Sequence, residues 1–299
     1  MMKRGGAPIF ALAVLSVLFL VIHEPASAET LLERGTYLMK SVVACGNCHT
    51  PKTRRGKDIQ GMELAGGLRI EEPGFIAYPA NITPDKETGI GNWTDEQIVT
   101  AFREGRRPDG TVIRPPMPIE WYRMMSDRDA KAIVAYLRSV KPVKNKVPEA
   151  TYKIPLPVSY GPPVVSVADV SRNDRRKYGA YLVTIGHCTQ CHTPMVRGQH
   201  DFSRIGAGGF ALIGPWGTVY SANITPDKKT GIGNWTDRQV KLAITNGQRA
   251  TGGKMLPPMP YPYFLNIKRA DLDAIVAHIR TFKAQKAVRK VRHVPPKKK

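Results

Sequence analysis

The chain has 299 residues, 42% of them hydrophobic, enough to bury the core of one large or two ordinary domains, which excludes general disorder. Its formal net charge is +21, a property that bears on partners and solubility rather than on fold.

Lys3 and Arg4 precede a mostly apolar stretch, Ala7 to Ile22, and the small-x-small triplet Ala26–Ala28 follows. This order predicts a secretory signal peptide over residues 1–28. The competing reading is a retained anchor, but the 16 apolar residues fall short of the about 20 that a spanning helix needs. Export would place the cysteines in an oxidising compartment and excludes nucleic acid as a partner.

The first predicted helix, about Leu31–Val43, leads into Cys45-Gly-Asn-Cys48-His49. The stretch from Thr50 to Trp93 is rich in Gly and Pro and shows no convincing strand ladder. Thr94 and Gln97 have the form of a capping box and open a second helix. After Pro115-Pro116-Met117-Pro118, Ser126 is the expected N-cap of a third helix, Asp127–Val140, with Ala132, Ile133, Tyr136 and Leu137 at helical spacing. Residues 143–171 are Pro-rich and read as an extended linker over the surface.

The chain then repeats itself. "YPANITPDKETGIGNWTDEQIV" from Tyr78 returns as "YSANITPDKKTGIGNWTDRQV" from Tyr220, an offset of 142. Pro-Pro-Met-Pro returns at 257–260 and "AIVAYLR" returns as "AIVAHIR", both at 142, while Cys188-Thr-Gln-Cys191-His192 lies at 143. The second set of helices is expected at Arg175–Ile185, after the Thr236/Gln239 box, and at Lys268–Phe282. The expectation is an all-α protein of two tandem domains, 30–142 and 172–285, with three or more helices each, long Gly/Pro-rich loops and a basic tail at 286–299.

Cys45, Cys48, Cys188 and Cys191 are the chain's whole cysteine complement. A disulfide framework does not explain why a His follows each pair. A zinc site would gather all four thiolates and leave both His idle. Covalent attachment of a c-type haem uses every residue of Cys-x-x-Cys-His, the thiols on the porphyrin and His49 or His192 on the iron. Two such motifs predict two haems c. An iron that only passes electrons has both axial positions filled, and in cytochromes c a Met often fills the second. Of ten Met, only Met117 and Met259 occupy matching positions, and their flanking prolines stiffen the backbone. The other Met read as gap-fillers. His187, His200, His278 and His293 read as surface or packing residues. Trp93 and Trp235 read equally well as haem-edge or as core residues. The Asn-Ile-Thr and Asn-Trp-Thr sequons are short, frequent matches.

"CGNCHTP", "CTQCHTP", the two "ANITPD…GIGNWTD" runs and "PPMP" together resemble the cytochrome c subunits of bacterial periplasmic dehydrogenases, the multihaem partners of membrane-bound alcohol, aldehyde, gluconate and nicotinate-type enzymes. The resemblance covers both halves. It implies that Cys45, Cys48, Cys188 and Cys191 attach haem, that His49 and His192 are proximal ligands, and that Met117 and Met259 are distal ones. Many members carry three haems and a C-terminal anchor, whereas this chain has two motifs and a basic tail.

The expected function is a periplasmic dihaem cytochrome c, at or near the inner membrane, passing electrons from a dehydrogenase to the respiratory chain without substrate chemistry of its own. The alternative is a dihaem peroxidase with one open or displaceable site, against which the paired Met argue. Charge is skewed: residues 30–142 carry 17 Lys/Arg against 14 Asp/Glu, +3, and residues 172–299 carry 23 against 6, +17. The second domain is therefore expected to face an acidic redox partner or an anionic membrane surface.

Overall fold

A computed structural model describes residues 28–289, apart from 55 and 215, and residues 293–296. The predicted signal peptide lies outside the described residues but for Ala28. α1 (Leu31–Lys40) starts on a reciprocal capping box between Thr30 and Glu33. It ends three residues before the expected Val43 because Ser41 leaves helical geometry (φ −136°, ψ −97°), and Ala44 at φ 51° then turns the chain. The single-turn α2 (Gly46–His49) follows, then the hairpin β1 (Ile70–Glu72) and β2 (Phe75–Ala77). α3 (Asp95–Glu104) opens on the expected Thr94–Gln97 box and closes on Gly105 in the left-handed region at φ 71°. α4 (Ile119–Tyr122) and α5 (Asp127–Ser139), the latter capped by Ser126, complete the first set of helices. β3 (Thr151–Tyr152) then returns to β2.

The second half follows the same order. It contains α6 (Arg175–Ile185), α7 (Cys188–His192), the short hairpin β4 (Met195–Val196) and β5 (Gln199–His200), and the longer hairpin β6 (Ala211–Gly214) and β7 (Gly217–Tyr220). α8 (Asp237–Asn246) opens on the Thr236–Gln239 box, and α9 (Tyr261–Phe264), α10 (Arg269–Ile279) and β8 (His293–Val294) follow. Where the second half has β4 and β5, the first has a single bridge, Lys52 to Asp58.

The chain is thus not all-α. It is 32% helical, with three small antiparallel sheets among the described residues. Each strand has two to four residues, too few for alternation to register in the sequence. The third strand of each larger sheet also comes from far along the chain: Phe75 pairs with Tyr152, and Thr218 with Val294. The segments that carry β3 and β8 are equivalent straps. Val143 N–H donates to Thr83 Oγ1 and Gln285 N–H to Thr225 Oγ1, each at 3.1 Å, 142 residues apart.

α1 packs on α5, and α6 on α10. The crossings are close because Gly35 and Gly179 lack side chains; a Cβ there would lie 1.9 Å from the carbonyl oxygens of Ala132 and Ala274. One apolar core, including Leu38, Val42, Met125, Ile133, Leu182 and Val276, runs through both halves. No described helix is long and apolar enough to cross a membrane.

Candidate metal centres

Both Cys-x-x-Cys-His motifs fold as one helical turn after a left-handed residue, Ala44 at φ 51° and His187 at φ 41°. The tight turn puts cysteines and histidine on the wall of one cleft of about 3560 Å³. Cys45, Cys48, His49 and Met117 line it, as do Cys188, Cys191, His192 and Met259. None of the cysteines is in a disulfide. Burial pushes the Cys45 and Cys188 thiols up to about 12, the opposite direction from a lowered redox thiolate. Among the described residues no group of three or more His, Cys, Asp or Glu is gathered to hold a metal, so the four-thiolate zinc reading fails on geometry.

The histidines are fixed through Nδ1. His49 Nδ1 lies 2.7 Å from the carbonyl oxygen of Ala80, and His192 Nδ1 lies 2.8 Å from that of Ala222. A carbonyl can only accept, so the proton sits on Nδ1 and the lone pair on Nε2. Burial holds His49 below the usual imidazole value, against the Ala80 contact, which favours the neutral ring.

The repeated Asn-Ile-Thr explains why those carbonyls stay in place. Asn81 is 2% exposed; its Nδ2 donates to Val143 O at 2.7 Å and its Oδ1 accepts from Thr83 Oγ1 at 2.7 Å. Asn223 does the same with Gln285 O at 2.6 Å and Thr225 Oγ1 at 2.7 Å. Burial rules out glycosylation at both. Gly66 at φ 77° donates its N–H to His49 O at 2.7 Å, and a Cβ there would meet the Pro79–Asn81 backbone at about 2.5 Å. Gly208 does likewise between His192 and Ala222. Asn81 and Asn223 lie 32 and 31 residues from His49 and His192, Gly66 and Gly208 lie 17 and 16, and no local signal in the sequence points to them. The 142-residue repeat marked the segments but not their task.

Met117 and Met259 are half-buried against the core, on equivalent loops just before α4 and α9. Met125 fills the core as expected. Met124 and Met195 do not, being 58% and 43% exposed, and Met195 and Met255 also line the cleft. Trp93 and Trp235 both pack on the core and face the cleft. His200 rests edge-on against Trp121 at 5.2 Å, and His278 against Phe282 at 5.2 Å. His293 Nε2 is 2.8 Å from Trp216 O.

The order of these elements can be set against known proteins. Residues 177–283 match the cytochrome c family. Over 83% of its length the chain is 32% identical to the cytochrome c subunit of the quinone alcohol dehydrogenase of Gluconobacter oxydans (strain 621H), covering 53% of that protein. It is 34% identical, over 87% of its length, to the fructose dehydrogenase cytochrome subunit of Gluconobacter japonicus, covering 54%. It is 28% identical over 71% of its length to a diheme cytochrome c-type protein of Cereibacter sphaeroides, covering 73%. The chain thus spans about half the length of the first two relatives. A cytochrome c domain implies covalently bound haem c. The residues fit that group: paired thiols free of disulfides, a neutral histidine locked through Nδ1 beside them, and room in the cleft.

Proposed function

We propose that the chain is a periplasmic dihaem cytochrome c that takes electrons from a dehydrogenase and passes them to the respiratory chain. Cys45 and Cys48 hold one haem and Cys188 and Cys191 the other. His49 and His192 are the proximal ligands, Met117 and Met259 the distal ones. Bound haem supplies reversible one-electron exchange at its iron. The protein's own part is to hold each imidazole by Nδ1, to present each thioether on a proline-flanked loop, and to wall the cleft with apolar residues. Thioether ligation favours the reduced iron and suits a carrier of middle to high potential.

The observation that carries this reading is the duplicated histidine anchor, His49 to Ala80 and His192 to Ala222, with a matched methionine lining the same cleft in each half. A peroxidase needs one open site, whereas Met117 and Met259 hold matching positions on the wall of the same cleft. Export after cleavage of residues 1–28 places the carrier beside a periplasmic donor. The +17 charge of residues 172–299 suits an acidic partner or an anionic membrane surface near the second half. The test is a haem count and a visible spectrum of the purified protein. Two haems per chain, both low-spin with the weak red band of thioether ligation and no peroxide turnover, support the carrier. A high-spin haem with peroxide turnover would replace it with the enzyme.

A further inference from the structure

The two halves touch at their candidate centres through crossed contacts. Trp121 stands four residues after Met117, in α4, and is 7% exposed. Its Nε1–H donates to Thr189 Oγ1 at 2.9 Å in a buried contact. Thr189 is the residue just after Cys188, in the other half's attachment turn. Gln190 in that turn also donates through Nε2 to Pro116 O, the residue before Met117, at 3.4 Å.

The reverse contact is present too. Tyr263 is the 142-residue counterpart of Trp121 and stands four residues after Met259. A Cβ on Gly46 would lie 2.4 Å from Tyr263 Oη. Gly46 is the counterpart of Thr189, the residue just after Cys45. The phenol therefore rests directly on a backbone that only glycine leaves bare.

We propose that Trp121 and Tyr263 are positioning residues that lock each half's methionine loop onto the other half's cysteine-bearing turn, so that neither loop can swing away from its centre without breaking a contact at the other. The inference rests on the His/Met reading above. Its physical content is a coupling between the two centres, which must be reciprocal. Displacing Met117 pulls Trp121 off Thr189. Displacing Met259 pulls Tyr263 off Gly46.

Imidazole added to the ferric holoprotein competes with each methionine for iron, and its affinity reads how firmly that loop is held. Met117→Ala and Met259→Ala assign the two phases of the optical titration. Thr189→Val keeps the volume and removes the hydrogen bond; it lies in the second half, yet it is expected to raise imidazole affinity at the first-half centre by about two- to tenfold, the worth of one buried hydrogen bond. Trp121→Phe should match it, and Gly46→Ala should raise affinity at the second-half centre. If Met117→Ala and Met259→Ala leave the titration unchanged, the His/Met reading is wrong and the lock falls with it. If they register but Thr189→Val and Trp121→Phe leave the first-half affinity at its wild-type value, the lock is overturned and the reading stands.

Discussion

Tyr181 Oη donates to Asp129 Oδ2 at 2.6 Å, across the junction of the two halves. Its counterpart Tyr37 donates to Asp271, the counterpart of Asp129, at 2.7 Å. Each half thus lends a tyrosine from its first helix to the buried aspartate in the other half's third long helix. The exchange is symmetric in the tyrosines but not in the cations. Arg34 grips Asp129 with two bonds, at 2.7 and 2.8 Å, whereas Tyr178 occupies the equivalent position facing Asp271, at 3.5 Å.

The asymmetry sets an order of costs. Tyr181→Phe leaves Asp129 with its guanidinium and is expected to cost about 0.5–1.5 kcal/mol. Tyr37→Phe leaves the buried Asp271 carboxylate, among the described residues, with the long Tyr178 bond in place of its short one and is expected to cost about 1–3 kcal/mol. Urea unfolding of the two variants checks the order; equal costs would show that Arg34 does not carry the difference.

Gly35→Ala and Gly179→Ala drive a methyl into a backbone carbonyl at each helix crossing, which cannot rotate away. Each is expected to destabilise by about 1–3 kcal/mol and to lower the melting temperature. Gly110→Ala is no control, since its φ of 83° strains alanine by itself. Alanine at the exposed helical Lys131 is a suitable one and should change little.

Local features were legible in the sequence and distant ones were not. The caps at Thr94, Thr236 and Ser126 appeared where expected because a cap is decided within four residues. The strands escaped because each is a few residues long and finds its partner up to 77 residues away, as Phe75 does in Tyr152. At the centres, residue type and spacing marked the cysteines and histidines. The Ala80 and Ala222 carbonyls that orient the histidines have no side-chain signature. Repetition singled out Trp121 and Tyr263 no more than any other matched pair, and their crossed contacts join residues 68 or more positions apart.

Asp127 pins the segment after the first half to α5. It accepts from Arg103 Nη1 at 2.7 Å and from Ser166 Oγ at 2.8 Å, and these bonds hold its carboxyl below the usual range. A carboxyl held low contributes stability in full above its unfolded value of about 3.9 and loses it as pH falls through its native value. Unfolding free energy should therefore drop more steeply on acidification below about pH 4 in the wild type than in Asp127→Asn. Parallel slopes in the two proteins would contradict the clamp.

Electron exchange with an acidic partner should slow as salt rises, because the Debye length falls from about 30 Å at 0.01 M to about 8 Å at 0.15 M. Residues 283–299 hold eight basic residues and no acidic one, so replacing Lys283, Lys286, Lys297, Lys298 and Lys299 with Gln, which keeps the Gln285 backbone strap, should flatten the salt dependence. Stopped-flow reduction at several ionic strengths measures it. A salt-independent rate would remove charge steering by the second half.

The most direct test replaces the methionines one at a time in the holoprotein and follows the visible spectrum during a potentiometric titration. Met117→Ala and Met259→Ala should each abolish about half of the thioether–iron band and lower one of two midpoint potentials, leaving the other close to its wild-type value. A spectrum and two midpoints unmoved by either substitution would contradict His/Met ligation at both centres.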